Sequence, residues 1–147
     1  MSLTAATQTS LCNQFVDLYA RLNRSNITEL GSLYDNDVEF IDPLHHISGL
    51  NSLTTYFENL YANVKSIQFE IHHQVELSNE AFLYWTMLLE HPKLNRGEPI
   101  EVSGHTHLRF AHKIHYHRDY FDSGQMLYQH LPMLGSAIRY INSKVGQ

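Results

Sequence analysis

Apolar positions recur with two different periods along this chain, and the change of period divides it. Leu11, Phe15, Leu18 and Leu22 follow one another at steps of four, three and four residues. That spacing predicts a first helix starting near Thr9 or Ser10, with Tyr19 beside the stripe. Asn26 with Glu29 has the form of a variant capping box. It predicts a short second helix whose Ile27, Leu30 and Leu33 face the core and whose end falls near Tyr34-Asp35-Asn36-Asp37. A short strand, Val38 to Ile41, comes next. Pro43 cannot donate to a ladder, so the strand ends right after Asp42 and holds that carboxylate at a strand end. Leu50, Leu53, Phe57, Leu60 and Val64 return to helical spacing and predict a third helix through about Asn63.

From Ile67 the period becomes two. Every odd position to Leu77 is apolar except His73, and the even positions Gln68, Glu70, His72, Gln74 and Glu76 are polar. This is a long strand with one wet face. After Ser78-Asn79-Glu80, the run from Ala81 to Leu89 is apolar on both faces and predicts a central strand. Beyond the polar loop Pro92 to Pro99, the strand Ile100 to Phe110 turns Ile100, Val102, Gly104, Thr106, Leu108 and Phe110 one way. Glu101, Ser103, His105, His107 and Arg109 turn the other way.

Lys113 to Asp122 reads as a strand by its β-branched and aromatic content, yet it carries ionisable residues on both faces. Whichever face meets the core must bury a histidine with an aspartate, or an arginine with an aspartate, and such burial is costly unless the groups are paired or used. The pattern predicts a pocket with a polar floor. A two- or four-residue loop around Ala111-His112 would pair Phe110 with Lys113 and turn His117, Asp119 and Phe121 inward. A three-residue loop, pairing Phe110 with Ile114, would turn Tyr116, Arg118 and Tyr120 inward. After Asp122, Leu127, Leu131, Leu134, Ile138, Ile141 and Val145 keep helical spacing, interrupted by Pro132, and predict a helical tail that docks on the cone or on a partner subunit through its apolar stripe.

Composition narrows the class. The 147 residues suit one domain, 1–147, and 10 basic against 15 acidic side chains give a net charge of −5, which argues against a nucleic-acid surface. The lone Cys12 has no intramolecular partner and suits a reducing compartment; on the first helix it reads as a small core hydrophobe. No apolar run approaches the ~18 residues of a membrane span, and the N-terminal residues lack the pattern of a secretory signal. A soluble, cytoplasmic protein is the expectation.

Asp42 is a candidate pocket carboxylate, with local backbone hydrogen bonding as the competing reading. Asp119 and His117 are candidate acid–base partners, and a structural role is the alternative for the histidine. His105-x-His107 has metal-ligand spacing, but alternation sends the pair to the face opposite Thr106, where an interface or solvated pair is the better reading. No metal is expected.

Leu33-Tyr34-Asp35 leading to Phe40-Ile41-Asp42-Pro43, then Gly49 and His117-Arg118-Asp119-Tyr120-Phe121-Asp122, resembles the nuclear-transport-factor-2-like superfamily, most closely its SnoaL-like and ketosteroid-isomerase-like branches, over roughly residues 10 to 122. The resemblance implies an α+β fold: a cone-shaped, curved, mostly antiparallel sheet wrapped around N-terminal helices, with 123–147 as an extra C-terminal helical segment. It sets Asp42 where ketosteroid isomerases place their general base. Their catalytic tyrosine corresponds to Leu18, with Tyr19 one place off, and their protonated aspartate to Thr106. In limonene-epoxide-hydrolase-like members a tryptophan and an aspartate two apart line the pocket; His117 and Asp119 stand there here. The Arg-x-Asp of those hydrolases falls on Trp85-Thr86-Met87.

The expected function is small-molecule binding with cofactor-independent isomerase, lyase or hydrolase chemistry on an apolar, oxygen-bearing substrate. Asp42, Asp119 and His117 would be catalytic, and Tyr19, Phe40, His45, Phe57, Trp85, Thr106 and Phe121 would line the pocket. The alternative is a non-catalytic member that binds a ligand or a protein. The resemblance also implies a homodimer through the open, polar sheet face, while charge and the lack of a long apolar run point to no nucleic-acid or membrane partner.

Overall fold

A computed structural model describes residues 9–146. Helix α1, Leu11–Arg21, is capped by Ser10, whose hydroxyl accepts from Asn13 N at 3.1 Å, and it buries Cys12, Phe15, Leu18 and Tyr19. The second helix is a 3₁₀ segment, Ile27–Ser32. The expected capping box is absent: Asn26 turns its side-chain oxygen to Asn23 N instead, and Glu29 pairs with Arg21. Arg24 reaches the carbonyls of Tyr61 and Ala62 and so closes the C-terminus of α2, Leu50–Asn63.

Strand β1, Tyr34–Ile41, begins four residues earlier than the apolar alternation indicates, because Tyr34 pairs with Ile114 before a break in register. A short strand β2, His46–Ser48, folds back on it, and Gly49 at φ 90° makes the turn into α2, with its N–H on the carbonyl of Val38. Long strands β3, Ser66–Glu76, β4, Glu80–Glu90, and β5, Ile100–Phe110, precede β6, Ile114–Phe121. The open sheet runs β2-β1-β6-β5-β4-β3, antiparallel throughout except for the parallel pair β1–β6.

Three expectations about the strands need correction. β4 lies between β3 and β5 as expected, but only one of its faces is covered: Leu83, Trp85, Met87 and Leu89 are buried, whereas Tyr84 and Leu88 are exposed. In β3 a register shift between Ile71 and His73 takes the far half of the strand out of the core, so Val75 and Leu77 are exposed. In the last hairpin Phe110 pairs with Ile114 and not with Lys113. That is the three-residue loop expected to turn His117 outward, yet a bulge follows at once: Arg109 pairs with Tyr116, so His115 is skipped. The extra residue restores the parity, Leu108 faces His117, Thr106 faces Asp119, and Gly104 faces Phe121. His117 is 1 % exposed.

The helices pack on the concave face in two apolar clusters. One joins α1, α2 and the β1, β5 and β6 side chains; the other holds Trp85, Met87, Leu89, Leu94, Ile100 and Val102. After β6, the chain forms a short helix α3, Ser123–Met126, a 3₁₀ turn, Tyr128–His130, and, beyond Pro132, helix α4, Leu134–Val145. The tail meets the sheet only through its first part. Leu127 and Leu131 pack on the second cluster, but Leu134 and Ile141 are 46 % and 56 % exposed, because α4 contacts the 3₁₀ turn before it rather than the sheet. Among the described residues, no helix is long and apolar enough to cross a membrane.

Candidate functional site

The concave face of β6 places His117 and Asp119 side by side under α1. His117 Nε2 lies 2.7 Å from Asp119 Oδ1, and its Nδ1 lies 2.7 Å from the hydroxyl of Tyr34, which is itself 2.7 Å from the hydroxyl of Tyr19. From the other side Thr106 donates to Asp119 Oδ1 at 2.5 Å, and Trp85 Nε1–H donates to Thr106 at 2.8 Å. Burial pushes the Tyr19 and Tyr34 phenols well above their usual range, so both stay protonated and serve as donors.

With Asp119 as carboxylate and His117 as neutral imidazole, every proton position follows. Tyr19 donates to Tyr34, Tyr34 to His117 Nδ1, and His117 Nε2–H to Asp119. Thr106 and Trp85 supply the second branch. Each hydrogen bond points toward one oxygen, Asp119 Oδ1. The other oxygen, Oδ2, has no hydrogen-bond partner among the described residues, and Asp119 lines the cavities on this face.

Two cavities meet there. A small inner one of about 20 Å³, large enough for a single water, is lined by Phe15, Tyr19, Trp85, Thr106, His117 and Asp119. A larger one of about 230 Å³ is lined at one end by Asp42, His45, Tyr56, Phe40, Phe57 and Asp119. Its other end is aliphatic: Val64, Leu89, Leu94, Met126 and Leu127, with His91 at the rim.

Asp42 and Asp119 reach the larger cavity from the same wall. Strands β1 and β6 are parallel and Ile41 is in register with Arg118, so the next residues, Asp42 and Asp119, stand alongside each other. Phe40 and His117, one step back on the same face, already touch, with ring centroids 4.6 Å apart. The two carboxylates differ in occupancy. Asp42 Oδ1 accepts from the backbone N–H groups of Leu44 and His45 at 2.7 Å, Nδ1 of His45 bridges both oxygens, and Oδ2 takes a long 3.3 Å bond from Tyr56. Both readings of Asp42 therefore hold together: it makes the local turn and it lines the cavity. Glu39, which accepts from Ser48 and His46, ties β2 to β1 beneath this turn, and those two bonds hold its carboxyl below the usual range.

The ten residues named from the sequence as catalytic or pocket-lining candidates lie on these two cavities. Tyr19, Phe40, Asp42, His45, Phe57, Trp85, Asp119 and Phe121 line the larger one, and Thr106 and His117 the inner one. Sequence reasoning missed Tyr34, Tyr56, His91, Met126 and Leu127. Tyr34 carries a signal, since it shares its even parity with Val38 and Phe40, but the Asp35-Asn36-Asp37 run beside it has the composition of a helix end. His105 and His107 are on the outer face, stacked on Tyr120 and Phe82, with His107 2.9 Å from Glu80. Among the described residues, no cluster of three or more His, Cys, Asp or Glu side chains has a geometry suited to a metal ion.

Solved structures share this architecture at low identity. A ketosteroid-isomerase-like protein from Catenulispora acidiphila, determined in complex with trimethylamine, superposes with a TM-score of 0.72 at 17% identity, covering 86% of this chain and 96% of that one. A protein from Shewanella putrefaciens described as a candidate SnoaL-like polyketide cyclase gives 0.66 at 17% identity, over 79% and 90% of the two chains. AclR from Streptomyces galilaeus, described as a candidate hydroxylase, gives 0.64 at 17% identity, over 86% and 93%. At such identity the likeness concerns the fold alone. No curated protein matches the chain. Residues 15–117, however, match the SnoaL-like domain, and the chain belongs to that family.

Proposed function

We propose that this protein binds a small apolar molecule bearing one or two oxygens and acts on it by carboxylate acid–base chemistry, as an isomerase or lyase needing no cofactor. The observation that carries this reading is the convergence of the buried hydrogen-bond chain on Oδ1 of Asp119, a residue that lines a mostly apolar cavity, which leaves Oδ2 unpartnered among the described residues as an acceptor. Asp119 is the base. It takes a proton from carbon next to a carbonyl, the C–H electron pair forms a C=C bond as the C=O π pair moves onto oxygen, and when the carbonyl re-forms the same proton is added at another carbon, or a neighbouring group leaves with its bonding pair and takes up the proton. His117 is a positioning residue held by Tyr34. Asp42, with both oxygens occupied, positions Tyr56, whose long bond leaves its hydroxyl able to turn to a ligand oxygen.

Screening small cyclic ketones, enones and hydroxyketones for turnover tests this. Asp119→Asn should lower kcat about 10²–10⁴-fold on any substrate found, with Asp42→Asn less severe. Turnover that survives Asp119→Asn overturns the mechanism. If the unmodified protein binds members of the set but turns none over, the protein is a binder and the catalytic half of the proposal fails.

The partner proposed is a second copy of the chain, across the outer sheet face. Tyr84, His105, Tyr120 and Leu88 give that face apolar and aromatic area among polar groups, enough for an isologous contact of roughly 1,000 Å² or more. Sedimentation at micromolar concentration should give a dimer, and a monomer would overturn this.

A further inference from the structure

The aliphatic end of the cavity is closed by a segment that lies beyond the part of the chain matching the family, which ends at residue 117. Asp122 starts this segment by accepting from the N–H groups of Gly124 and Gln125 at 2.8 and 3.2 Å. Gln125 accepts from Ser103 N on β5 through its side chain, and its carbonyl accepts from the His130 ring at 2.8 Å. These bonds lay α3 across the end of β5, and Met126 and Leu127 complete the cavity wall.

We infer that Met126 and Leu127 set the length limit of the ligand, and that the ligand is a slender molecule of about ten heavy atoms with a hydroxyl or enol head at Asp119. The inference rests on the reading of this cavity as a ligand site. Size comes first. A cavity of about 150 Å³ accommodates benzene, so 230 Å³ holds roughly nine or ten heavy atoms at the same filling, one ring with a short chain and not a polycycle. Polarity orients it. Along the inner wall Tyr19, Tyr34, Thr106, Trp85 and His117 all direct their protons to partners, so the wall offers an acceptor, Asp119 Oδ2, which meets the acidic C–H of a carbonyl compound or, more strongly, the O–H of its enol or of a phenol. The body then points toward Leu89, Leu94, Met126 and Leu127, where the lining is apolar except for His91.

Binding of para-alkylphenols, methyl to octyl, measured by calorimetry, tests the limit. In the unmodified protein each added methylene should tighten binding roughly fourfold, the ~0.8 kcal/mol of a buried methylene, up to about the propyl member, and affinity should fall at least about tenfold by hexyl. Met126→Ala and Leu127→Ala each remove about three heavy atoms and should move the optimum two or three carbons longer. Leu127→Phe should move it shorter. Loss of fold would weaken the whole series and cannot shift the optimum in both directions. An optimum that stays put in all three variants overturns the inference and leaves the ligand site standing. Failure of every phenol to bind the unmodified protein overturns the ligand site and this inference together.

Discussion

The two faces of β5 and β6 use the same residue types to opposite ends. On the inner face His117 is sealed, and both its ring nitrogens are hydrogen-bonded within a chain that runs to Asp119. On the outer face His105 and His107 lie flat against Tyr120 and Phe82, and Arg109 and Arg118 sit over the rings of Tyr116 and Tyr120 at 4.9 Å. Burial makes the difference. Inside, a polar group without a partner is costly, so every side chain of the network has one, with only Oδ2 of Asp119 left over among the described residues, and the network has a single arrangement. Outside, water can replace any contact, so stacking and charge are interchangeable and no single arrangement is enforced.

This contrast can be broken experimentally, and the largest effect should come from the point where the inner chain converges. Asp119→Leu strands the His117 Nε2–H and the Thr106 hydroxyl together and should cost about 2–5 kcal/mol in urea unfolding. His105→Leu on the outer face should stay within about 0.5 kcal/mol. A loss below about 1 kcal/mol for Asp119→Leu would mean that water replaces the carboxylate, and the inner face would then be no stricter than the outer.

Next in size is Gly104→Ala, on β5 opposite Phe121. A Cβ there would run into the Trp85 ring and would stand 2.7 Å from the Tyr120 carbonyl, so the indole must move toward the cavity. About 1–3 kcal/mol of stability should be lost, together with phenol binding. Tyr34→Phe leaves His117 Nδ1 without its donor and should cost about 1–3 kcal/mol. Its outer counterpart, Tyr116→Phe, should be neutral in the same assay.

Alkali should produce an effect of a different kind. Burial raises the Cys12 thiol from 9.0 to about 11 and the Tyr61 phenol from 10.0 to about 12. A pKa raised in the folded state favours folding while the group is protonated. Stability is therefore full below about pH 9 and is lost as pH rises through about 11 and then 12. Cys12→Ala should flatten the first part of that decline in a melting series, and Cys12 should label slowly with thiol reagents at neutral pH.

Much of the site was legible because period-two alternation assigns faces from residue order alone. Ile100 to Phe110 put Thr106 inward and His105 and His107 outward, and that is where they lie. Asp42 was legible for a different reason: Pro43 must end the strand, so the preceding carboxylate sits at its edge. Tyr34 was not legible, because a phenol between a 3₁₀ turn and a strand acquires its role only from His117, distant in the chain and brought alongside by the parallel β1–β6 pair.

By itself, then, the sequence determined the order of helices and strands, the inward set on β5, and the family to which the chain belongs, since all three rest on local spacing and on motifs contiguous in the chain. Tertiary structure alone decided the rest. The face of His117 depended on a bulge at His115 that no pattern marks, because a single unpaired residue inverts every side chain after it. The meeting of Asp42 with Asp119 depended on a parallel register between strands far apart in sequence. The split of the tail, with Leu127 on the cavity and Ile141 in solvent, depended on how far the apolar surface of the sheet extends, and a helical stripe records that a helix has an apolar face but not what lies opposite it.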